Sequence, residues 1–137
     1  LEFADGTYLF DLKLPQLAEL QEKRGVGVFA LYGRVVKGRY ILGGETIGAP
    51  AEGEAFAEDI FETIRLALIG GGKGEVDGKE VDVSALRAKS LVERFCHTAP
   101  LREPWALAAA ILGARIEGYA PPKKEGPADG PATSTSE

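Results

Sequence analysis

Glu54-Ala-Phe-Ala-Glu-Asp-Ile-Phe-Glu-Thr-Ile-Arg-Leu-Ala-Leu-Ile-Gly-Gly-Gly72 is the stretch that decides the fold class. Phe56, Ala57, Ile60, Phe61, Ile64, Ala67 and Leu68 recur at i, i+3, i+4 and i+7, the spacing that puts apolar side chains on one face of an α-helix. Glu54, Glu58, Asp59 and Glu62 crowd the first half and Arg65 follows, an order that complements the helix dipole. The spacing predicts a helix from near Glu54 that stops at Gly70-Gly71-Gly72.

Toward the N-terminus, Asp5-Gly6 lies between β-prone runs and predicts a hairpin turn, since a type I′ turn needs positive φ at both central residues. Beyond it Tyr8, Phe10 and Leu12 alternate with Thr7, Leu9 and Asp11. Pro15 suits the first turn of a helix that carries Leu17 and Leu20 and stops at Gly25. A second short helix is expected over residues 28–37, with Phe29, Tyr32, Val35 and Val36 on one face and Gly38 at its end. Arg39 to Leu42 can be extended, and the glycines and prolines through Gly53 read as a loop.

Toward the C-terminus, Glu75-Val-Asp-Gly-Lys-Glu-Val81 reads as a small hairpin or an exposed loop. Asp82 or Ser84 then caps a helix running to about His97, with Ala88, Leu91, Val92 and Phe95 on its face. Pro104 opens a last helix to about Glu117. Its run Trp105-Ala-Leu-Ala-Ala-Ala-Ile-Leu112 is apolar nearly all round, which predicts a central position. From Pro121 to Glu137 there is no large apolar residue, and a disordered tail is expected.

The chain has 137 residues, 45% hydrophobic and 27% charged, the composition of one globular domain. It is mildly acidic, with net charge −5 and pI near 5.0, which argues against bulk electrostatic binding of nucleic acid. No apolar run approaches the ~20 residues of a membrane span. Cys96 is the only cysteine, so an intramolecular disulfide is excluded and a reducing, cytoplasmic setting is expected. There is no methionine, and the first strand of the hairpin is cut short at Leu1, so a missing N-terminal piece is expected.

Catalytic chemistry finds little support. His97 and Cys96 are the only residues of their types, and as neighbours on a helix they point about 100° apart, poor geometry for a nucleophile and its base. Cys96 is expected in or near the core and His97 at a helix C-terminus, and together they cannot build a usual zinc site. Gly70-Gly71-Gly72-Lys73-Gly74 lacks the P-loop pattern and follows a helix instead of preceding one, so it reads as a helix stop and flexible link. Glu52, Glu54, Glu58, Asp59 and Glu62 read as a solvated face. Charge placement is the better clue. Lys23, Arg24, Arg34, Lys37 and Arg39 form a basic run, and Glu45 to Glu62 holds six acids and no base. Either solvent screens both, or they form a docking surface for a partner or a second copy.

Taken in order, the motifs are Phe3-Ala-Asp-Gly-Thr-Tyr-Leu-Phe10, Leu17-Ala-Glu-Leu-Gln-Glu-Lys-Arg-Gly25, Asp59 to Gly72, Leu91-Val-Glu-Arg-Phe95, Pro100-Leu101 and the alanine-rich last helix. This order resembles the gene transfer agent family of small phage-tail proteins, often described as tail assembly chaperones. The resemblance spans residues 3–119 and is most specific at 62–72. The loop from Gly43 to Gly53 and the segment from Lys73 to Val83 are longer than in the shorter members. The resemblance implies a non-enzymatic role without a cofactor. The protein would bind the helical tape-measure protein before tube protein polymerises around it, in the bacterial cytoplasm or in the virion tail, with self-association as a further implication. The alternative is a structural tail or head–tail connector subunit retained in the particle.

The expected architecture is α+β and mainly α-helical. An N-terminal β-hairpin packs on about five helices within a single domain over residues 1–120, followed by the tail at 121–137. Phe10, Leu17, Leu20, Phe29, Tyr32, Phe56, Ile60, Phe61, Ile64, Leu91, Phe95, Trp105 and Ile111 are the expected core. Lys23, Arg24, Arg34, Lys37 and Arg39 are the candidate partner surface.

Overall fold

A computed structural model describes residues 1–42 and 45–118. The expected disordered segment 121–137 lies outside the described residues. The elements in order are β1 (Glu2–Phe3), β2 (Gly6–Tyr8), α1 (Leu14–Arg24), α2 (Val28–Val36), β3 (Arg39–Leu42), β4 (Glu45–Gly48), a 3-10 turn (Pro50–Glu52), α3 (Ala57–Gly71), β5 (Lys73–Val76), β6 (Lys79–Asp82), α4 (Ala85–Phe95) and α5 (Arg102–Glu117). The α+β, mainly helical reading holds, with the N-terminal hairpin and five α-helices in place.

The helix decided by residues 54–72 is the centre of the molecule. α3 packs against α1, α4 and α5 and touches α2, whereas α5, expected at the centre, packs beside it against α3 and α2. Ile64, Leu66, Ala67 and Leu68 of α3 are buried together with Leu20, Leu31, Val35, Leu91, Ala108 and Leu112. Each buried Leu, Ile or Val side chain among these contributes about 1.5–3 kcal/mol. Helix ends follow local chemistry. Gly25 takes the left-handed conformation at φ 70° to stop α1. The Ser84 hydroxyl, of the two candidate caps, accepts from the Arg87 N–H at 3.1 Å. The Gln21 side-chain oxygen accepts from the Val28 N–H at 2.8 Å, so α1 satisfies an orphan donor at the start of α2.

The glycine run is more than a stop. α3 continues through Gly70 and Gly71, and only Gly72, at φ 72°, is the cap. A side chain at Gly70 would strike the Asp11 carbonyl, and one at Gly71 the Leu9 carbonyl. The segment after β2 therefore lies directly on the last turn of α3, where the Asp11 N–H donates to the Ala67 carbonyl at 3.0 Å. No flexible link follows, because β5 begins at Lys73 and the Leu9 N–H donates to its carbonyl at 3.0 Å.

β5 pairs with β2 and with β6, giving one antiparallel sheet in the order β1-β2-β5-β6. The reading of residues 75–81 resolves to a hairpin. Asp77 and Gly78 both have positive φ, 53° and 78°, as a type I′ turn requires. The first hairpin departs from expectation. Its two-residue loop is Ala4-Asp5, with Ala4 at φ 56°, and Gly6 pairs with Phe3 inside the ladder. Gly6 is needed in the strand because a Cβ there would collide with the Glu75 carbonyl of β5. The stretch expected as a loop through Gly53 instead contains β4, which pairs with β3 from Leu42–Glu45 to Arg39–Gly48.

Two expected core residues are outside it. Phe29 is 75% exposed because α2 buries Val28, Leu31 and Val35, a face offset from the expected one. Phe56 is 59% exposed because α3 begins at Ala57, leaving Phe56 an extended N-cap at φ −82°, ψ 153°. Leu20, Ile60, Ile64, Leu91 and Ile111 are buried. Phe10, Leu17, Tyr32, Phe61, Phe95 and Trp105 are half-buried against the core.

The close approach at α3 yields a contrasting pair of predictions. Gly71→Ala should cost about 1–3 kcal/mol in urea unfolding through overpacking against Leu9. Gly33→Ala, at a helical position with open space around it, should gain about 0.5–1 kcal/mol.

Candidate functional site

One acid of the acidic run meets two arginines of the basic run inside the fold. Asp59, read from sequence as part of a solvated face, is fully buried. Its Oδ1 accepts from Arg24 Nε, at the end of α1, and from Arg34 Nη2, on α2, both at 2.8 Å. Its Oδ2 accepts from the Phe56 N–H at 2.8 Å, closing the N-terminus of α3. A carboxylate withdrawn from water is tolerable only with such partners. The Phe56 ring lies over both guanidiniums, 5.9 Å from that of Arg24 and 5.2 Å from that of Arg34. This cation–π contact explains why an exposed aromatic stands at the cap. The periodicity of α3 put Asp59 among the acids of its first turn. Nothing in one-dimensional spacing showed that two arginines would reach it.

The remaining members of the candidate surface are dispersed. Lys23 lies 3.9 Å from Glu19, one helical turn earlier, and Lys37 lies 3.3 Å from Glu54, both pairs well exposed. Such surface pairs contribute little. Arg39 stands apart, its guanidinium 5.0 Å from the Trp105 ring centroid. Arg24 and Arg34 are thus engaged internally, Lys23 and Lys37 sit in solvated pairs, and Arg39 belongs to a different region.

That region, at the N-terminal end of α5, was not anticipated. The Trp105 indole N–H donates to the Val35 carbonyl at 2.6 Å, which fixes the ring between α2 and the β3–β4 hairpin. Hollows of about 680 and 360 Å³, both lined by Trp105, Pro50 and Arg102, open beside the ring. A further cleft of about 530 Å³ lies between the first hairpin and α5, lined by Phe3, Phe95, Pro100, Pro104 and Leu107. The only sequence signal for the first region was that Trp105 is the single tryptophan.

The nucleophile and the imidazole remain apart in role. Cys96 is buried, and burial raises its thiol from 9.0 to about 11, since the thiolate would lose its hydration. His97 is exposed, its ring 4.6 Å from that of Phe61. Among the described residues no group of three or more His, Cys, Asp or Glu side chains is placed to hold a metal ion, and no helix is long and apolar enough to cross a membrane.

Residues 1–44 match the model of a family described as "Phage tail tube protein, GTA-gp10". The matched part comprises β1, β2, α1, α2 and the β3 region, and does not reach the Glu62–Gly72 stretch. The match supports a phage or gene transfer agent tail family. Comparison with curated proteins and comparison with solved structures each returned no match.

Removing the buried carboxylate should be costly. Asp59→Ala leaves two guanidiniums unpaired and is expected to lose about 3–5 kcal/mol in urea unfolding. Glu58→Ala, one exposed position away, should stay within about 0.5 kcal/mol. Cys96 should resist a thiol reagent at pH 8, where a thiol near 11 is only about 0.1% thiolate. Its contribution to stability is whole below the unfolded value of 9.0 and is lost as pH climbs toward 11, because the unfolded chain gives up the proton first. Reagent labelling with and without denaturant, and unfolding across that pH window, check both points.

Proposed function

We propose that this chain is a non-enzymatic tail assembly protein of a phage or gene transfer agent, and that it binds the tape-measure protein before tube protein polymerises around it. The family match over residues 1–44 is the observation that carries the tail assignment. The chaperone role draws support from the surface. A tape-measure chain exposes apolar helical stripes until it is enclosed, and such stripes aggregate. The cleft lined by Phe3, Phe95, Pro100, Pro104 and Leu107, with Glu2, Arg102 and Glu103 also bordering it, is a largely apolar recess of a size suited to side chains of a helix laid across it. The reaction-free reading also accords with a cysteine held protonated by burial. The protein would act in the bacterial cytoplasm during assembly, with self-association on the partner.

A second reading has its own support. The matched family is described as a tail tube protein, which favours a structural subunit kept in the particle, whether in the tube or at a connector.

Two measurements separate these. In a pull-down from a lysate expressing the native tail genes, recovery of the tape-measure protein is the expected result. Purified particles, examined by mass spectrometry, should lack the protein. Stoichiometric presence in particles, with recovery of tube or connector subunits alone, would replace the chaperone reading by the structural one. Recovery of no tail component would overturn both.

A further inference from the structure

We infer that the groove around Trp105 is a docking site for an acidic, apolar-bearing segment of a partner protein. Its floor is built and held open. The hydrogen bond to Val35 pins the indole, and a Cβ at Gly48 would sit 3.3 Å from the ring, so glycine leaves that part of the ring uncovered. Pro50, Arg102 and Trp105 border both hollows, and Ile47 and Leu101 add apolar surface.

Charge complementarity specifies the occupant. Among the described residues Lys23, Arg24, Arg34, Lys37, Arg65 and Lys73 have carboxylate partners within 4.0 Å. Of the cations without one, which include Lys13, Lys79, Arg87, Lys89, Arg94 and Arg115, Arg39 and Arg102 share a hollow with the tryptophan. Both line this groove together with Glu103, so its lining keeps one net positive charge in a chain of net charge −5. Burial lowers the Arg39 guanidinium from its ordinary value, which reflects lost hydration that no carboxylate offsets. A partner carboxylate would offset it, and a neighbouring apolar side chain would cover Trp105.

This inference rests on the reading that the chain works by protein contact, and it adds a second contact, in a groove that shares Arg102 and Glu103 with the Phe3–Phe95 cleft. Trp105 is the single tryptophan and therefore reports on the groove directly. The probe is a capped peptide of alternating glutamate and leucine, with a lysine–leucine peptide and a short single-stranded DNA as controls. The expected result is a saturable blue shift of Trp105 emission with the glutamate peptide alone. Arg102→Glu should weaken it about tenfold, as loss of a close opposite charge does. Arg102 is exposed and makes no ion pair among the described residues, so the fold should survive, as circular dichroism would verify. Gly48→Val, which fills the space over the ring, should abolish the shift without altering charge. No shift, equal shifts with both peptides, a larger response to DNA, or unchanged binding by Arg102→Glu would overturn the inference. If the wild type and Arg102→Glu recover tail proteins equally while the peptide is inert, the groove is wrong and the tail reading stands. If the peptide binds while no tail protein is recovered, the reverse holds.

Discussion

A carboxylate that sees no water must be paired where it lies, and Asp59 is paired across three helices. Arg24 comes from the end of α1, Arg34 from α2, and the carboxylate itself from the first turn of α3. The cluster does not add stability in proportion to its contacts, because desolvating three charged groups consumes most of the Coulombic gain. Its effect is on geometry. Only one arrangement of the three helices brings both guanidiniums to the same oxygen, and any other leaves a charge stranded in the interior. Phe56 completes the arrangement by donating its N–H to the carboxylate and laying its ring over the arginines.

At the other end of α3 a constraint of space replaces one of charge. Gly70 and Gly71 let the backbone of Leu9 to Asp11 lie against the helix, and this seats the first hairpin so that β2 can pair with β5. The Arg115 side chain then donates to the Leu12 carbonyl at 2.8 Å, tying α5 to the same segment. The two ends of α3 thus fix the helices and the sheet respectively, and the surfaces available to a partner follow from that frame. The cleft beside Phe3 lies where the first hairpin faces the start of α5, and the Trp105 groove where the β3–β4 hairpin stands beside it.

The distribution of charge carries the functional argument. Of the opposite-sign runs, Arg24, Arg34 and Asp59 are turned toward each other inside the fold, and Lys37 and Glu54 pair at the surface. Outside those pairs, Arg39 and Arg102 flank an aromatic ring without carboxylate partners among the described residues. The proposed docking groove rests on these two cations beside an open aromatic ring, and the N-terminal part of the chain matches a tail protein family.

Local rules were sufficient wherever the deciding contacts lie within a few residues. The existence and apolar face of α3, the left-handed stop at Gly25 and the burial of Cys96 were legible in the sequence, and the turn at Asp77-Gly78 and the cap at Asp82 or Ser84 were narrowed to two readings each, because periodicity, capping and turn chemistry act over one or two turns. The errors share one cause. Gly6, Gly70 and Gly71 are glycines because distant backbone approaches them. Phe56 is exposed because it covers two arginines from other helices. Asp59 is buried because those arginines meet it. β4 is a strand because β3 is there to pair with it. Residue order alone specifies a helical α+β fold with an N-terminal hairpin and a likeness to tail proteins. Tertiary structure alone decided which charges are consumed inside and where Trp105 leaves an open groove, since ion pairing and close approach depend on distances in space that spacing along the chain does not encode.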